Sequence, residues 1–264
     1  MNLTLPPKPK NSLFKKLRAI VITISIIALY IWTFLGIDLD WEKAINKLIQ
    51  QFDKVIPMLF SPDWSATGEV ALTMLETIFI AFAGSLMAAI LAVPLSFLAA
   101  NNMMGKYLSM PGKWLLSAIR AFPDLILAIL FVVAVGPNAF AGVLAIAIGS
   151  TGMLGKLFSE IIEQIDKDVV QGMQANGANR TQVLFYAVLP QIIPEFLSYA
   201  IYRFEVDIRA SSILGIVGAG GIGTMIVFAS ANDNWSQMGT ILVGIIVVVT
   251  VIDFTSAFIR KRIV

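Results

Sequence analysis

The chain has 264 residues with a mean hydropathy of +0.83, and 58% of its residues are hydrophobic while only 14% are charged. Soluble domains carry about 25% charged residues, so we interpret this chain as an integral membrane protein. It contains no cysteine and no histidine. This excludes disulfides, thiol nucleophiles, Cys/His zinc sites and histidine acid–base catalysis. The net charge of +2 indicates little about partners.

The N-terminal part predicts one span and one surface helix. Residues 1–18 are basic, and residues 19–36 carry no charge. A spanning helix needs about 20 apolar residues, so we predict a retained first span. The alternative is a signal peptide, but no small-residue cleavage site follows the run. Residues 41–56 are amphipathic and are predicted to lie along the membrane surface, with Trp41 and Trp64 as interface anchors.

The next apolar run, residues 77–100, predicts a second span. Glu69 and Glu76 are then expected just before this span or in its first turn. Residues 101–120 contain three basic residues and are predicted to form a short loop leading to the third span.

The third span is predicted to begin near Pro123 and Asp124, because proline and an acid both suit the first turn of a helix. It runs to Val135, where Gly136-Pro137-Asn138 predicts a tight turn. The fourth span, residues 139–157, is rich in Gly, Ala and Ser, which is typical of closely packed membrane helices.

Two more spans are predicted at residues 196–216 and 238–258, with a glycine cluster and a polar turn at residues 231–235 between them. Six spans place both termini on one side of the membrane. Of the 19 basic residues, 14 fall on that side, three fall on the other, and Arg203 and Arg209 lie within a span. Because basic residues accumulate in cytoplasmic loops, we predict that both termini are cytoplasmic.

The longest polar interruption in the apolar second half is residues 166–194, here called the polar segment. We predict two short helices, at residues 161–173 and 180–189. The sequence Asn176-Gly177-Ala178-Asn179 favours a turn between them, and Leu189-Pro190 closes the second helix. On physical grounds alone, the segment is either a compact cytoplasmic knob or an amphipathic loop on the membrane surface.

The spacing in the polar segment resembles the loop E-A-A-x3-G-x9-I-x-L-P of bacterial ABC importer permeases. Gly177 stands at the motif glycine and Leu189-Pro190 at its L-P, whereas Gln171-Gly172-Met173 replaces E-A-A and Ala187 replaces the isoleucine. The resemblance implies that a loop at about residues 160–190 couples the permease to an ATPase. The residues implied in this coupling are Gln171, Gly172, Met173, Gly177, Ala178, Leu189 and Pro190.

A downstream block resembles the permeases of phosphonate and phosphite importers. It runs from Leu189-Pro190-Gln191 through Tyr202-Arg203-Phe204-Glu205 to the glycine cluster, and Arg120-Ala121-Phe122-Pro123-Asp124 resembles the start of a core span in that family. The resemblance implies an all-α polytopic membrane protein with six transmembrane helices and the type I ABC importer (MetI-like) permease fold. It covers residues 67–260. Residues 1–66 then comprise a basic tail, the first span and an extracytoplasmic segment, and residues 261–264 form a cytoplasmic tail.

The glycine cluster also satisfies the dinucleotide fingerprint G-x-G-x-x-G from Gly218 to Gly223. That interpretation is set aside because a membrane-like span precedes it and residues 238–252 carry no acid. Glycines at this density either permit close helix packing or let the backbone bend beside a transport pathway. We predict the pathway role for Gly215, Gly218, Gly220, Gly221 and Gly223.

Four charged residues lie in the fifth span, where each costs about 2.5–3.5 kcal/mol unless it is paired or faces a cavity. The i,i+4 spacing pairs Arg203 with Asp207. The same spacing pairs Glu205 with Arg209. We predict that Arg203, Glu205 and Asp207 form structural ion pairs. The deeper Arg209 is predicted to meet an oxyanion in transit, because a guanidinium suits phosphonate oxygens. We interpret Asp253 as structural.

The resemblance implies a permease subunit that moves a phosphonate-like oxyanion into the cytoplasm across a bacterial inner membrane. Its implied partners are an ABC ATPase, a periplasmic or lipid-anchored solute-binding protein, a second permease copy as a homodimer, and membrane lipid, with no nucleic acid. The chain lacks a G-x-x-x-x-G-K-[ST] loop. We therefore predict that it is not an enzyme and binds no cofactor or metal, with ATP and Mg held by the ATPase.

The sequence leaves several alternative functions open. Phosphonate, phosphite, hypophosphite and phosphate esters are compatible substrates, and an importer permease for another small solute, such as an amino acid, is an alternative. An ion-coupled secondary transporter predicts mid-span carboxylates and internal repeats. Only Glu205 and Asp207 are candidates, each has a basic partner in sequence, and no repeat is visible. An intramembrane enzyme is disfavoured by the missing His, Cys, G-x-S-x-G and H-E-x-x-H.

Overall fold

The computed structural model describes residues 13–36 and 40–263, without the side chains of Leu13, Asp53 and Lys54. The predicted tail residues Lys8 and Lys10 lie outside the described residues. Every regular element within these ranges is helical, which confirms the predicted all-α class. The described residues fall into two compact units, which are divided after residue 54.

Eleven α-helices occur in the described residues, with a 3-10 turn at Trp64–Ala66, a π-helical turn at Leu184–Val188 and a 3-10 turn at Gly215–Val217. The helices are α1 (Leu13–Leu35), α2 (Trp41–Leu59), α3 (Thr67–Ala99), α4 (Asn101–Ala121), α5 (Asp124–Val135), α6 (Ala139–Glu163), α7 (Lys167–Ala175), α8 (Arg180–Val183), α9 (Leu189–Leu214), α10 (Ile222–Ala231) and α11 (Trp235–Ile263).

The first unit contains α1 and most of α2. Helix α1 is apolar and exposed, as expected of a helix surrounded by lipid. Helix α2 is amphipathic and is preceded by Asp40, whose carboxylate accepts the backbone N–H of Lys43 and lies 2.7 Å from the Lys43 ammonium. These contacts, with the Lys43 side chain contributing most, lower the pKa of Asp40. The helix ends at Leu59, slightly beyond the predicted residue 56.

Helix α3 begins at Thr67, ten residues before the predicted span. Glu69 lies in its first turn and Glu76 in its interior, so the expected position of Glu76 at the start of the span is wrong. Both side chains are exposed. The predicted span begins only after Glu76 because it is defined by a run of uncharged residues. The helix itself extends further, because exposed acidic side chains leave its backbone hydrogen bonds intact.

Asp63 ties the start of α3 to the start of α11. Its backbone N–H donates to the carbonyl of Ser236 (3.2 Å), and its carbonyl accepts the hydroxyl of Thr240 (2.8 Å). The hydroxyl of Ser65, and then the Ser65 backbone N–H, donate to the Asp63 carboxylate and lower its pKa.

The prediction of a loop at residues 101–120 is wrong, because these residues form α4, kinked at Gly105 (φ +76°). Helix α4 is stabilised by packing on α6: a Cβ on Gly155 would lie 2.5 Å from Leu116.

Helix α5 follows at 82° to α4. Its 12 residues are about 18 Å long, too short to span a membrane alone. Five described helices are long and apolar enough to span, or six if α4 and α5 form one broken span.

The core of the second unit is α6, packed between α3, α4, α5 and α9. Small residues permit this packing: a Cβ on Gly84 would lie 2.7 Å from Ile146, and one on Gly152 would lie 2.8 Å from the Arg120 nitrogen. Towards α9, the rings of Phe158 and Phe196 stack with centroids 3.9 Å apart. The predicted turn at Gly136-Pro137-Asn138 is confirmed, with Gly136 at φ +86° and Asn138 capping α6.

The later spans are longer than predicted. Helix α6 continues to Glu163, and α11 begins at Trp235 and ends at Ile263. Residues 261–263 belong to the last turn of α11, and their assignment to a cytoplasmic tail stays a prediction. The domain boundary drawn at residue 66 from sequence stays a prediction.

Candidate functional site

The first half of the polar segment is a short exposed helix, α7, with capped ends. The Asp166 carboxylate accepts the backbone N–H of Asp168 at its start. After α7, Gly177 adopts φ +82°, a conformation that favours glycine. Asn179 and Gln182 then form a reciprocal capping box that starts α8. The turn predicted at residues 176–179 is confirmed.

Helix α7 presents one free face and one packed face. Gln171 is exposed, and a Cβ on Gly172 or Gly177 would meet no atom of the described residues within 4 Å. Met173 and Ala178 are half-buried against the core cluster around Phe158. Five of the predicted coupling residues therefore lie together, with three directed outward and two fixing the segment to the bundle.

The prediction that Leu189-Pro190 closes a short helix is wrong. Helix α8 continues through the π-helical turn Leu184–Val188 into α9. Pro190 occupies the start of α9, where a missing N–H is least costly, and the π turn accommodates the change in hydrogen-bond register. The second half of the polar segment is thus the base of the helix that leads to the glycine cluster.

Gln191 joins α7 to α9, a role that the sequence did not reveal. Its side-chain amide donates to the carbonyl of Ala187 (2.7 Å), and its side-chain oxygen accepts the backbone N–H of Asp166 (2.8 Å). The first contact gives the Ala187 carbonyl a hydrogen-bond donor next to Pro190, which has no backbone N–H of its own. The second contact fixes the N-terminal end of α7 to the first turn of α9, here called the base of α9.

A groove of about 650 Å³ lies between the start of α4 and the polar segment. Apolar side chains line it together with Lys167, Arg180, Gln171 and Gln174. None of the described residues that line it is acidic. The sequence pattern did not indicate this groove, because it depends on the long-range approach of α4.

The glycine cluster separates α9 from α10. Gly218, Gly220 and Gly221 have φ of +89°, +81° and +72°, conformations that other residues rarely adopt. The next helix, α10, starts where the backbone N–H of Ile222 donates to the hydroxyl of Thr77 on α3 (2.8 Å). The predicted bend is therefore present.

The five glycines predicted for the pathway fall into two groups. Gly215 and Gly223 are buried against each other, since a Cβ on Gly215 would lie 2.7 Å from the Gly223 Cα, and Gly221 is buried against Thr77. Gly218 and Gly220 are only half-buried. The first group meets the needs of close packing, and the second leaves backbone accessible. A pathway role stays a prediction for all five.

Glu76 is an exposed carboxylate within the apolar helix α3, and no sequence pattern predicted a role for it. A Cβ on Gly220 would lie 2.9 Å from Oε1 of Glu76. The carboxylate therefore lies against the stretch of residues 215–223, here called the glycine bend. It borders a groove of about 510 Å³ whose other lining residues are apolar. Within the described ranges it makes no ion pair.

Arg203 is the centre of a buried polar cluster that joins three helices. Its Nε lies 2.8 Å from Asp207 and 2.8 Å from the hydroxyl of Ser150 on α6, and that hydroxyl donates to Asp207 (2.9 Å). Its Nη2 lies 3.5 Å from Asp124 at the start of α5. In the described chain no buried side-chain nitrogen or oxygen lacks a partner. The predicted pair Arg203–Asp207 is present, with two partners that the i,i+4 rule does not indicate.

Arg209 belongs to a second, more exposed cluster between α9 and α11. Its Nη2 lies 2.8 Å from Glu205 and 3.0 Å from Asp253, and the second oxygen of Glu205 lies 3.1 Å from Arg260. The side chains of Arg209 and Asp253 are 47% and 40% exposed. Glu205 thus pairs with Arg209 as expected, while a direct contact between Arg209 and an oxyanion stays a prediction. In the described ranges, no group of three acidic residues could hold a metal ion.

Comparison with known proteins identifies relatives over nearly the whole chain. Residues 92–264 match the family model "Binding-protein-dependent transport system inner membrane component". The chain is 35% identical over 250 residues to the phosphite transport system permease protein PtxC of Stutzerimonas stutzeri, covering 94% of this chain and 90% of that protein. It is 33% identical to the phosphate-import permease protein PhnE of Mycolicibacterium smegmatis, covering 93% of this chain and 43% of that protein.

Solved structures share the fold. An inward-facing structure of the MetNI methionine ABC transporter superposes with a TM-score of 0.68 at 19% identity, covering 76% of this chain and 99% of that chain. A bacterial ABC transporter involved in the import of the acidic polysaccharide alginate has a TM-score of 0.56 at 16% identity, covering 96% of this chain and 99% of that chain. At these identities the likeness concerns architecture alone, and it confirms the predicted type I importer permease fold.

Proposed function

The chain belongs to the family of binding-protein-dependent transport system inner membrane components, and on this basis we propose that it is the permease of a bacterial ABC importer for a phosphonate-like oxyanion. The observation that carries the substrate class is the 35% identity to a phosphite transport permease over 94% of this chain. Phosphonate, phosphite and their close analogues share the tetrahedral oxyanion that such a permease would pass.

The proposed assembly contains an ATPase subunit, a solute-binding protein outside the membrane and a second copy of this chain in surrounding lipid. The family description supports the dependence on a binding protein. The half-exposed charges of Arg209 and Asp253 support the second copy. Charges on an apolar span need a protein or aqueous neighbour, and a partner across a shared pathway would supply one. The excess of basic residues on one side supports cytoplasmic termini.

The polar segment would be the contact with the ATPase. Helix α7 offers an outward face at Gln171 and Gly172, and Gly177 leaves the turn beside it open. Gln191 ties α7 to α9, and α8, the π turn and α9 form one continuous path to the glycine bend. A displacement of α7 by the ATPase would therefore move the base of α9. ATP and Mg would bind to the ATPase, and this chain would transmit motion without catalysing a reaction.

The pathway would run beside the glycine bend. Gly218 and Gly220 leave backbone accessible there, and Glu76 brings a charge that an apolar helix does not tolerate against lipid. Arg209 would meet the oxyanion through the part of its guanidinium that Glu205 and Asp253 leave free, since only its Nη2 contacts them.

Reconstitution in proteoliposomes tests the function. The permease is combined with its ATPase and binding protein, and ATP hydrolysis and uptake are measured for phosphite, methylphosphonate, phosphate and sulfate. We expect stimulated hydrolysis and uptake for at least one of the phosphorus oxyanions and none for sulfate. Uptake that needs no ATPase would contradict an ABC importer.

An importer for another small solute is the second candidate, because the chain is also 29% identical over 156 residues to the methionine import system permease protein MetP of Bacillus subtilis. Methionine is therefore added to the panel. Stimulation by methionine and by no phosphorus oxyanion would assign the chain to amino-acid import instead.

A further inference from the structure

Helix α5 is separated from α4 by a non-helical junction. Phe122 and Pro123 have ψ of 125° and 136°, and the two helices meet at 82°. Pro123 has no backbone N–H to donate across the junction. Helix α5 is therefore a stiff segment of 12 residues, about 18 Å long, attached to α4 through two extended residues.

The start of α5 contacts α9 through Asp124. The Asp124 Oδ2 lies 3.5 Å from Nη2 of Arg203, and Gly149 on α6 makes room for the carboxylate, because a Cβ there would clash with Asp124 Oδ1. Arg203 itself is held more tightly, with its Nε 2.8 Å from Asp207 and 2.8 Å from Ser150. The Asp124 contact is the longest of the three, and its carboxylate side chain is 35% exposed.

The end of α5 contacts the bend that follows α9. A Cβ on Gly218 would lie 3.1 Å from Cβ of Pro137, in the turn after α5, and 4.0 Å from a methyl group of Val132 on α5. Gly218 holds the left-handed conformation that ends the 3-10 turn. Helix α5 is thus in contact with the α9 chain at both ends, about one helix length apart.

We infer that α5 moves as a rigid strut with α9, turning about the Phe122-Pro123 junction, and that Asp124 and Arg203 are the positioning residues that transmit the motion. The inference rests on the proposed function, in which the ATPase displaces the base of α9. Arg203 transmits the displacement because Asp207, one turn along the same helix, holds its guanidinium in place. Asp124 receives it at the end of α5 nearest the junction, so that a shift of α9 tilts α5 relative to α4 and carries the Gly136-Pro137 turn along with the glycine bend.

The two carboxylates around Arg203 allow this role to be separated from folding. Asp207 is fully buried and neutralises the guanidinium, so its loss would leave a buried charge without its closest partner. Asp124 is a second, looser partner. The variant Asp124→Asn therefore removes the ion pair between α5 and α9, while Asp207 still neutralises Arg203 and the protein is expected to stay folded.

Spin-label distances test the strut in the full-length chain, which has no native cysteine to replace. One pair of labels is placed at Val133 on α5 and Ile213 on α9, and a second at Val133 and Trp114 on α4. These side chains are 81%, 55% and 73% exposed. Labelled chains are diluted with unlabelled copies, and complexes with the ATPase are compared without nucleotide and trapped with ATP and vanadate.

We expect the Val133–Ile213 distance to stay the same in both states and the Val133–Trp114 distance to change. In Asp124→Asn, the Val133–Ile213 distribution should broaden even in the isolated permease, and uptake per hydrolysed ATP should fall about tenfold. Asp124→Glu should restore most of the coupling. Asp253→Asn, which removes an ion-pair partner of Arg209 instead, should leave the Val133–Ile213 distribution narrow.

A Val133–Ile213 distance that changes between states while Val133–Trp114 stays constant would overturn the strut, as would an unaltered distribution in Asp124→Asn. Failure of the proposed function looks different. In that case no phosphorus oxyanion would stimulate hydrolysis or be taken up, yet the label distances in the isolated permease would still answer whether Asp124 holds α5 to α9.

Discussion

Arg203 and Asp207 face each other one helical turn apart in α9, with Nε of the arginine 2.8 Å from Oδ1 of a fully buried carboxylate. The hydroxyl of Ser150 on α6 accepts a hydrogen bond from the arginine and donates one to the aspartate, so it links both members of the pair to α6. The pair thus fixes α9 to α6 near the middle of the bundle, between the polar segment and the glycine bend.

Removing one member of this pair should destabilise the permease strongly. We expect Asp207→Ala to lower the free energy of unfolding by about 3–5 kcal/mol, because a buried guanidinium loses its closest counter-ion. The double variant Arg203→Leu/Asp207→Leu should cost less than the single one, since the only charge that loses its partner is Asp124, whose side chain is 35% exposed rather than buried. Unfolding of the purified permease in denaturant measures both. The half-exposed Asp253→Asn serves as the control, at about 1 kcal/mol or less.

Equal destabilisation by the single and double variants would contradict this account. It would mean that the cost comes from lost packing rather than from an unpaired charge.

Local patterns predicted a substantial part of the fold. The turn at Gly136-Pro137-Asn138 is specified by its own residues, and the pairing of Arg203 with Asp207 follows from helical spacing. Helix α4 could not be predicted in this way. Its stability depends on Leu116 packing over Gly155, a contact between residues that are distant in sequence, whereas its own Gly105 and Pro111 indicate a loop.

The polar segment shows the same limit. Its turn at Gly177 was predicted, but the passage of α8 into α9 was not, because Pro190 ordinarily ends or begins a helix. The Gln191 side chain donates to the carbonyl of Ala187 next to that proline, and no periodicity indicates such a contact. Likewise Asp124 becomes a partner of Arg203 only through the arrangement of α5, α6 and α9.

Gly177→Arg should abolish coupling and leave the fold intact. A side chain at residue 177 would meet no described atom within 4 Å, so bulk is tolerated inside the permease but would obstruct a protein docked against the turn. The positive φ of +82° adds about 1–2 kcal/mol of backbone strain. We expect a normal yield of monodisperse permease, with loss of ATPase co-purification. Gly177→Asn, which tolerates this conformation and is small, is the matched control and should retain the ATPase. Loss of the ATPase in both variants would attribute the effect to the backbone instead.

Gly223→Ala should destabilise the glycine bend. The added Cβ would clash with the carbonyl of Ser212 and lie 2.7 Å from the Gly215 Cα, and such overpacking typically costs about 1–3 kcal/mol. Thermal unfolding of the purified permease measures this cost. The control is Gly68→Ala, where nothing lies within 4 Å among the described residues and where an alanine suits the exposed start of α3. If Gly223→Ala proved as stable as Gly68→Ala, the close packing of Gly215 and Gly223 would not limit stability.

Gln191→Leu should weaken the connection between α7 and α9. It removes the bonds to the Asp166 N–H and the Ala187 carbonyl, each worth about 0.5–1.5 kcal/mol. Since the outward face of α7 is unchanged, we expect the ATPase to bind while uptake per hydrolysed ATP decreases. Gln191→Glu keeps the acceptor for the Asp166 N–H, so its uptake per hydrolysed ATP should lie between those of the parent protein and Gln191→Leu. An ATPase that dissociates from the Gln191→Leu permease would instead indicate that this residue supports docking.

Arg209→Gln addresses whether the arginine meets the transported oxyanion or only neutralises its neighbours. The substitution removes the partner of Asp253, while Glu205 retains Arg260 at 3.1 Å. A purely structural arginine would therefore be rescued by Arg209→Gln/Asp253→Asn, because the second change removes the unpaired carboxylate. We expect the double variant to recover the yield and thermal stability of the parent protein but not its uptake, with KM for the oxyanion raised about tenfold or more, as the loss of a charged hydrogen bond of about 1.5–3 kcal/mol implies. Concentration-dependent uptake in proteoliposomes, with ATP hydrolysis measured in parallel, separates KM from the rate of the cycle. If uptake recovered together with stability, Arg209 would serve only in the ion pairs. The backbone around Gly218 and Gly220 would then be the remaining candidate for the contact with the anion.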